Sequence, residues 1–291
     1  MVEFIESAVD YDYVTISLTQ SRIKKGLLSI PVSLIENFPK KKTKVHVFFD
    51  DKDFPVERNF TPYESSSREC RIGGMKEFYE KNNMKEGDET VIQFLGENRY
   101  RILSEHKFKL LVNKYENEFD ASESEQKAEE KIKSLAMFTN TDKKTVIASE
   151  FLRLSRETIE PRKYREQRPA RGKESAPHSV RQLLAEVYGG KCQLTDFTFL
   201  MKNGKPYFEI HHIRPAFGDH LKNLLVVSPN VHAQFEYANM EERFDENGWL
   251  RRVRFNAREF TVKQCIDNIK IKFSKEIHLL DESNQMWRKP K

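Results

Sequence analysis

The chain has 291 residues, 33% charged and 38% hydrophobic, with a net charge of +5. No run nears the roughly 18 apolar residues of a transmembrane span, so the composition excludes a membrane-embedded or wholly disordered protein. Cys70, Cys192 and Cys265 are far apart and odd in number, and MVEFIESAVDYDYV has no basic-then-apolar signal region; a protein without disulfides in a reducing cytoplasm is expected.

From the N-terminus, YDYVTISL, KVHVFFD, ETVIQFL and NRYRIL are short, alternating and rich in β-branched and aromatic residues, which predicts a β-rich domain over residues 1–112. Within it, SLTQSRIKKGLLSIPVSLIENFP predicts a strand, a basic turn, a strand and a short helix after Pro31. SRECRIGGMKEFYEKNNMKEGDETVIQFLG predicts a strand, a helix carrying Met75, Phe78 and Tyr79, a Gly87-Asp88 turn and a strand. A charged helical linker with a basic arm is expected over 113–175. Its acidic part, ENEFDASESEQKAEE, reads as linker or solvated helix, and residues 127–160 place Ile132, Leu135, Met137, Val146, Phe151 and Leu154 at helical spacing. The arm RKYREQRPARGK (residues 162–173) suits either contact along phosphates or a solvated surface.

Residues 176–291 form the last predicted domain. SVRQLLAEVYGG reads as a helix with Ser179 as cap, a stripe of Val180, Leu183, Leu184, Val187 and Tyr188, and Gly189 as stop. KPYFEIHHI predicts a strand ending in His211 and His212, RPAFGDHLKN a loop, and NLLVV a second strand. SPNVHAQFEYANM predicts a helix with Ser228 as cap, Pro229 first and His232 in its opening turn. Next, FDENGWLRRVRF predicts a hairpin turning at Asn247-Gly248, with Trp249 packing and Arg251, Arg252 and Arg254 lining DNA or a dimer interface. A weaker amphipathic pattern runs over 257–280 through Phe260, Val262, Ile266, Ile269 and Phe273.

A strand end and a helix start meet when a helix packs across a hairpin, which gathers the histidines. Phosphodiester hydrolysis needs an activated water, a cation on the scissile phosphate and help for the leaving oxygen. Histidine supplies a base near neutral pH, and adjacent strand residues face opposite ways, so one of the pair can ligate while the other addresses water. Asn223, with donor and acceptor, suits bracing the loop, and His232 closes the site. The isolated His46, His106, His178 and His278 read as core residues and His220 as a solvated turn residue; Arg214 suits either the scissile phosphate or the surface.

This segment resembles the ββα-metal motif of the HNH nucleases, and YGGKCQLTDF resembles its lead-in in restriction enzymes; the resemblance spans about residues 179–242. It implies His211 and His232 as metal ligands, His212 as general base and Asn223 as orienting residue. Asn223 follows His212 by 11 positions and His232 follows Asn223 by 9. Mg²⁺ leads as cofactor, with Mn²⁺, Co²⁺ and Ni²⁺ suited to imidazole ligands. No structural zinc is expected, since Thr195 and SPNVH stand where paired cysteines occur, and the hairpin is expected to rest on Phe199, Phe208, Leu224, Val226 and Phe235.

Residues 12–105 are similar to the DNA-binding pseudobarrel of plant transcription factors and restriction-enzyme effector domains, through the strand–basic arm–Ile-Pro pattern and the Gly-Gly…Phe…Lys-x-Gly-Asp block. In that family two arms grip the major groove. Here they would be Ser21, Arg22, Lys24 and Lys25, and a second set around Ser65, Ser66, Ser67, Arg68 and Arg71. The expectation is an α+β protein: an N-terminal β-pseudobarrel DNA-recognition domain, a helical linker and a C-terminal ββα-metal (HNH) nuclease domain. Its partners are double-stranded DNA and a second copy in a homodimer, with no membrane and no small-molecule substrate. A sequence-specific restriction endonuclease leads. Two alternatives stand beside it: a modified-cytosine-dependent enzyme, for which Tyr11, Tyr13, Phe60 and Tyr63 would offer a cage, and a DNA-binding regulator with an inactive nuclease domain.

Overall fold

The structure, a computed structural model, describes residues 13–63, 69–139, 141–159 and 176–268. In the N-terminal part, strands β1 (Tyr13–Ser17), β2 (Leu27–Ile30), β3 (Thr43–Phe49), β4 (Val56–Thr61), β5 (Cys70–Gly73), β6 (Glu89–Phe94) and β7 (Arg99–Ser104) form one sheet in the order β1-β6-β7-β3-β4-β5-β2. Every pair is antiparallel except β3–β7. Alternation turns Ile16, Leu28, Val45, Phe60, Ile72, Ile92 and Ile102, one from each strand, into a single buried cluster. A flat sheet would hold its two edges far apart, so sharing one core requires the sheet to curl into a nearly closed barrel. Phe38 fills the interior, stacked on Tyr100 at 4.6 Å and on Phe60 at 5.7 Å. Phe60 therefore cannot serve in a base-binding cage.

The predicted basic turn is a short helix, α1 (Gln20–Lys25), and the second predicted helix is α2 (Lys76–Lys81). Gly26 ends α1 in the left-handed region at φ 60°, and a Cβ there would lie 3.0 Å from the Lys76 backbone nitrogen. Both conformation and space therefore call for glycine.

Three helices follow: α3 (Glu105–Asp120), α4 (Glu125–Thr139) and α5 (Lys143–Ser155). Met137 points to solvent, 81% exposed, because Ile132, Leu135, Ala136 and Thr139 make up the buried stripe of α4. The chain divides into two units. Described residues up to 115, with 135–139 and 141, make one; residues 116–134, 142–159 and 176–268 make the other. In the first, the Phe138 carbonyl accepts from Gln93 Nε2 at 2.8 Å and its ring stacks on Phe108.

The second unit adds α6 (His178–Tyr188), the hairpin β8 (Glu209–His212) and β9 (Leu224–Val227), helix α7 (Pro229–Tyr237), and the sheet β10 (Met240–Phe244), β11 (Leu250–Phe255) and β12 (Arg258–Thr261). Leu225, Val227, Val231, Phe235, Leu250, Val253 and Phe255 share its core. Ser179 does not cap α6. Pro177 holds that position, and the Ser179 hydroxyl donates to the Asp120 carbonyl at 3.3 Å. Phe199 does not support the hairpin core either; it is exposed and stacks on Tyr207. The expected amphipathic pattern after 257 is instead strand β12 paired with β11, followed by a 3-10 turn at Cys265–Asp267; its later positions, Ile269 and Phe273, lie outside the described residues. Trp249 is buried against Phe151, whereas Arg251 pairs with Asp245 and Asp267, Arg252 with Glu259 and Arg254 with Glu241. Among the described residues no helix is long and apolar enough to cross a membrane.

Glu150 on α5 is 1% exposed and shares Arg153 with Asp120. Burial pushes Glu150 up to about 7 despite Arg153, while hydrogen bonds to Asp120 and Glu150 outweigh burial and hold Arg153 above its ordinary value. The folded state thus retains a proton on Glu150 that the unfolded chain releases near 4.5. The sign follows: this stability is complete below about pH 4.5 and is lost as pH rises through about 7, on the order of 3 kcal/mol in all. Glu150→Gln is expected to flatten that part of the melting-temperature profile. A profile with the same slope in the variant and the parent would assign the pH dependence elsewhere.

Candidate active site

The site is built on β8, β9 and α7. In the β8–β9 register His211 lies opposite Leu225 and His212 opposite Leu224, so the two histidines fall on opposite faces. Their contacts follow that alternation. The His211 ring stacks on Phe235 of α7 at 4.0 Å and lies 5.2 Å from the His232 ring. His212 turns to the loop, where its Nε2 lies 2.8 Å from Asp219 Oδ1. Ser228 caps α7 by accepting from the Val231 amide, and Pro229 opens it, which sets His232 against His211.

Burial, aided by the neighbouring charges of His232 and His212, pushes His211 down to about 4. The imidazole is therefore neutral at neutral pH and keeps a lone pair. His232 Nδ1 lies 2.5 Å from Glu209 Oε2, and Glu209 Oε1 accepts from the Tyr207 hydroxyl at 2.9 Å. A carboxylate that holds one ring nitrogen orients the other toward a ligand, the usual support of a metal-binding histidine. Two imidazoles whose ring centroids lie 5.2 Å apart thus fit a divalent ion of intermediate softness. Among the described residues no group of three or more His, Cys, Asp or Glu side chains is arranged to hold a metal, so other ligands would be water and substrate oxygens.

Asn223 is 3% exposed, and its side chain uses donor and acceptor together. Oδ1 accepts from the Arg214 amide at 2.7 Å, and Nδ2 donates to the Arg214 carbonyl at 2.8 Å and the Gly218 carbonyl at 2.7 Å. The amide thereby fastens the loop 213–220 at the residue preceding Asp219. His220 is also engaged: Nε2 contacts the Glu157 carbonyl at 3.0 Å and Nδ1 accepts from the Lys222 amide. Arg214 donates to Glu242 at 2.7 Å and its side chain is half exposed.

Cys192, Thr195 and Ser228 gather at one place. Burial would raise the Cys192 thiol, but hydrogen bonds from Thr195 and from the Ser228 backbone hold it below its ordinary value. Beside it the Gln193 side chain accepts from the Val226 amide at 2.7 Å and donates to the Lys263 carbonyl at 2.8 Å, joining β9 to the segment after β12.

In the barrel unit, Arg22 of α1 pairs with Glu69, which also accepts from Ser29 at 2.8 Å. Ser21, Lys24 and Lys25 are exposed on α1, and Arg71 is partly buried on β5. Ser65, Ser66, Ser67 and Arg68, the basic arm 162–173 and His278 lie outside the described residues. His46, His106 and His178 are exposed, not core residues. The partners that sequence reasoning missed are Asp219 and Glu209.

No family model matches the chain, and no curated protein matches it. Solved structures resemble about a third of it. They include an Arabidopsis FUS3–DNA complex (17% identity, 31% of this chain and 93% of that one, TM-score 0.27) and an Arabidopsis LEC2–DNA complex (17%, 33% and 96%, TM-score 0.28). The N-terminal domain of Helicobacter pylori LlaJI.R1 is a third (12%, 32% and 78%, TM-score 0.25).

Proposed function

We propose that this chain is a metal-dependent endonuclease of the HNH type that hydrolyses double-stranded DNA, with the barrel unit selecting the site. One observation carries the reading: a ββα unit presents His211 and His232 together on one face and His212, held by a carboxylate, on the other. An ionised carboxylate only accepts, so Asp219 keeps the proton of His212 on Nε2 and leaves the Nδ1 lone pair to take a proton from water. His211 and His232 would hold the divalent ion. When bound, that ion supplies Lewis-acid stabilisation of the charge on phosphate and the departing 3′-oxygen. Glu209 fixes His232, and Asn223 keeps the loop that carries Asp219.

Exposed Ser21, Lys24 and Lys25 on α1 offer the barrel unit a basic edge for phosphates or guanines. Cleaving both strands with one site per chain calls for two chains on a symmetric site or two successive nicks. The test is incubation of the full-length protein with unmodified and cytosine-modified plasmids under Mg²⁺, Mn²⁺, Co²⁺ or Ni²⁺, with a chelator control. Discrete metal-dependent fragments are expected, and the preferred plasmid separates plain-sequence from modified-base reading. Tight binding without cleavage under every metal would leave a DNA-binding protein.

Asp219→Asn is expected to lower the turnover rate about 10- to 100-fold with KM unchanged, as for other groups that orient a reacting side chain. The ¹⁵N spectrum of His212 should lose its Nε2–H preference in parallel. A rate and a spectrum like the parent's would remove Asp219 from the mechanism.

A further inference from the structure

Between Cys192 and β8 the chain forms a hairpin over 199–207 that neither unit's core explains. Its rungs are the Tyr207 amide to the Phe199 carbonyl at 2.9 Å, the Leu200–Pro206 bridge and the Met201 amide to the Lys205 carbonyl at 2.8 Å. The base is rigid. Tyr207 stacks on Phe199 at 5.2 Å, and Pro206 lies so close to Gly190 that a Cβ there would meet its ring at 2.5 Å. Beyond that stack the hairpin is open: Leu200 is 68% exposed and Met201 36%, and Lys202 and Lys205 stand exposed on either side of the turn, while Phe197 and Phe199 are exposed nearer the base.

We infer that this hairpin is a DNA finger, with Leu200, the more exposed of its apolar side chains, wedging at a base step of the minor groove and Lys202 and Lys205 on the flanking phosphates. Contiguous apolar side chains rimmed by charge mark an interaction surface. The partner must present negative charge on both sides of an apolar cleft, and a duplex does: phosphate rails border the groove and stacked bases line it. The placement agrees. Tyr207 at the finger's base and His211 are four residues apart along one chain, about 13 Å at strand rise, well within one turn of DNA. Tyr207 also donates to Glu209, which holds His232, so the finger is joined by hydrogen bonds to the reacting site.

The inference rests on the reading that the chain acts on duplex DNA, and its test separates the two. Full-length protein is titrated in chelator with a cleavable-site duplex carrying 2-aminopurine, beside Leu200→Ala/Met201→Ala and Lys202→Gln/Lys205→Gln. The apolar pair should bind about tenfold more weakly and lose the fluorescence rise of an unstacked base. The lysine pair should keep that rise while the slope of log affinity against log salt falls by about two. Because these side chains are exposed, melting temperatures should not move. Equal affinity and no fluorescence change in any form would overturn the finger, as would a wild-type dimer that Leu200→Asp splits, which would make the tip a surface between copies. Fluorescence and affinity as expected, without cleavage under any metal, would overturn the nuclease reading alone.

Discussion

His212→Ala is expected to lower the single-turnover cleavage rate by about 10²- to 10⁴-fold, the range for removing a general base, while DNA affinity in chelator stays the same. The asymmetry follows from where the ring sits. Its side chain is 12% exposed, at the end of β8, and its hydrogen bond is to Asp219. It faces away from His211 and His232, so truncation leaves the proposed ion-binding pair and its Glu209 support in place. His232→Ala should act through the other half: cleavage falls at fixed metal concentration and recovers partly as metal is raised. The two variants are told apart by that titration. A His212→Ala protein that cuts at the parental rate would end the assignment of the base, and recovery of its rate at high metal would reassign His212 as a ligand.

Asn223→Ala is expected to weaken both the fold and the chemistry. Its side chain satisfies one amide and two carbonyls of a loop with no other regular structure than two 3-10 turns. Leaving buried backbone groups unpaired costs roughly 1–3 kcal/mol each, so a loss of about 3 kcal/mol and a melting-temperature drop of roughly 6–12 °C should follow. Cleavage should fall further than melting explains, because a loosened Gly218 releases Asp219 from His212. Hydrogen exchange over 213–220 would report the loosening directly. Asn223→Asp should be worse than alanine, since it sets a charge against the Arg214 and Gly218 carbonyls. A variant with parental melting and parental exchange would show that the loop is held by something other than this amide.

Much of the fold was legible because alternation and turn residues are local signals. The β8–β9 hairpin, the Ser228-Pro229 start of α7 and the Asn247-Gly248 turn all stand at their predicted places. Residues 257–262 misled because Phe260 and Val262 fit a helical stripe or a strand equally, and pairing with β11 decided. The basic stretch after Thr19 folds as α1 since Gly26 lets a six-residue helix end tightly against Lys76. Within the candidate site, His211, His212, Asn223 and His232 could be singled out by residue type and spacing, and their partners could not. Asp219 meets His212 only once Asn223 has folded the loop, and Glu209 meets His232 only once α7 packs across β8. Arg22 looked like a free cation until Glu69 closed on it, a contact between segments distant in sequence.

The opposed facing of His211 and His212 makes the site sensitive to parity. Advancing β8 by one residue against β9 would carry each histidine to the other's side, exchanging the ring against Phe235 with the ring against Asp219. A shift by two would restore the facing and displace both along the strand. The pairing is therefore clamped beyond its own four-residue ladder, by Gln193 on the Val226 amide and by the Ile213 amide on the Asn223 carbonyl at 2.9 Å. Length changes within β8 should consequently sort by odd and even: a single-residue deletion between Tyr207 and Ile210 turns each histidine to the other face, whereas a two-residue deletion keeps the facing and moves both along the strand.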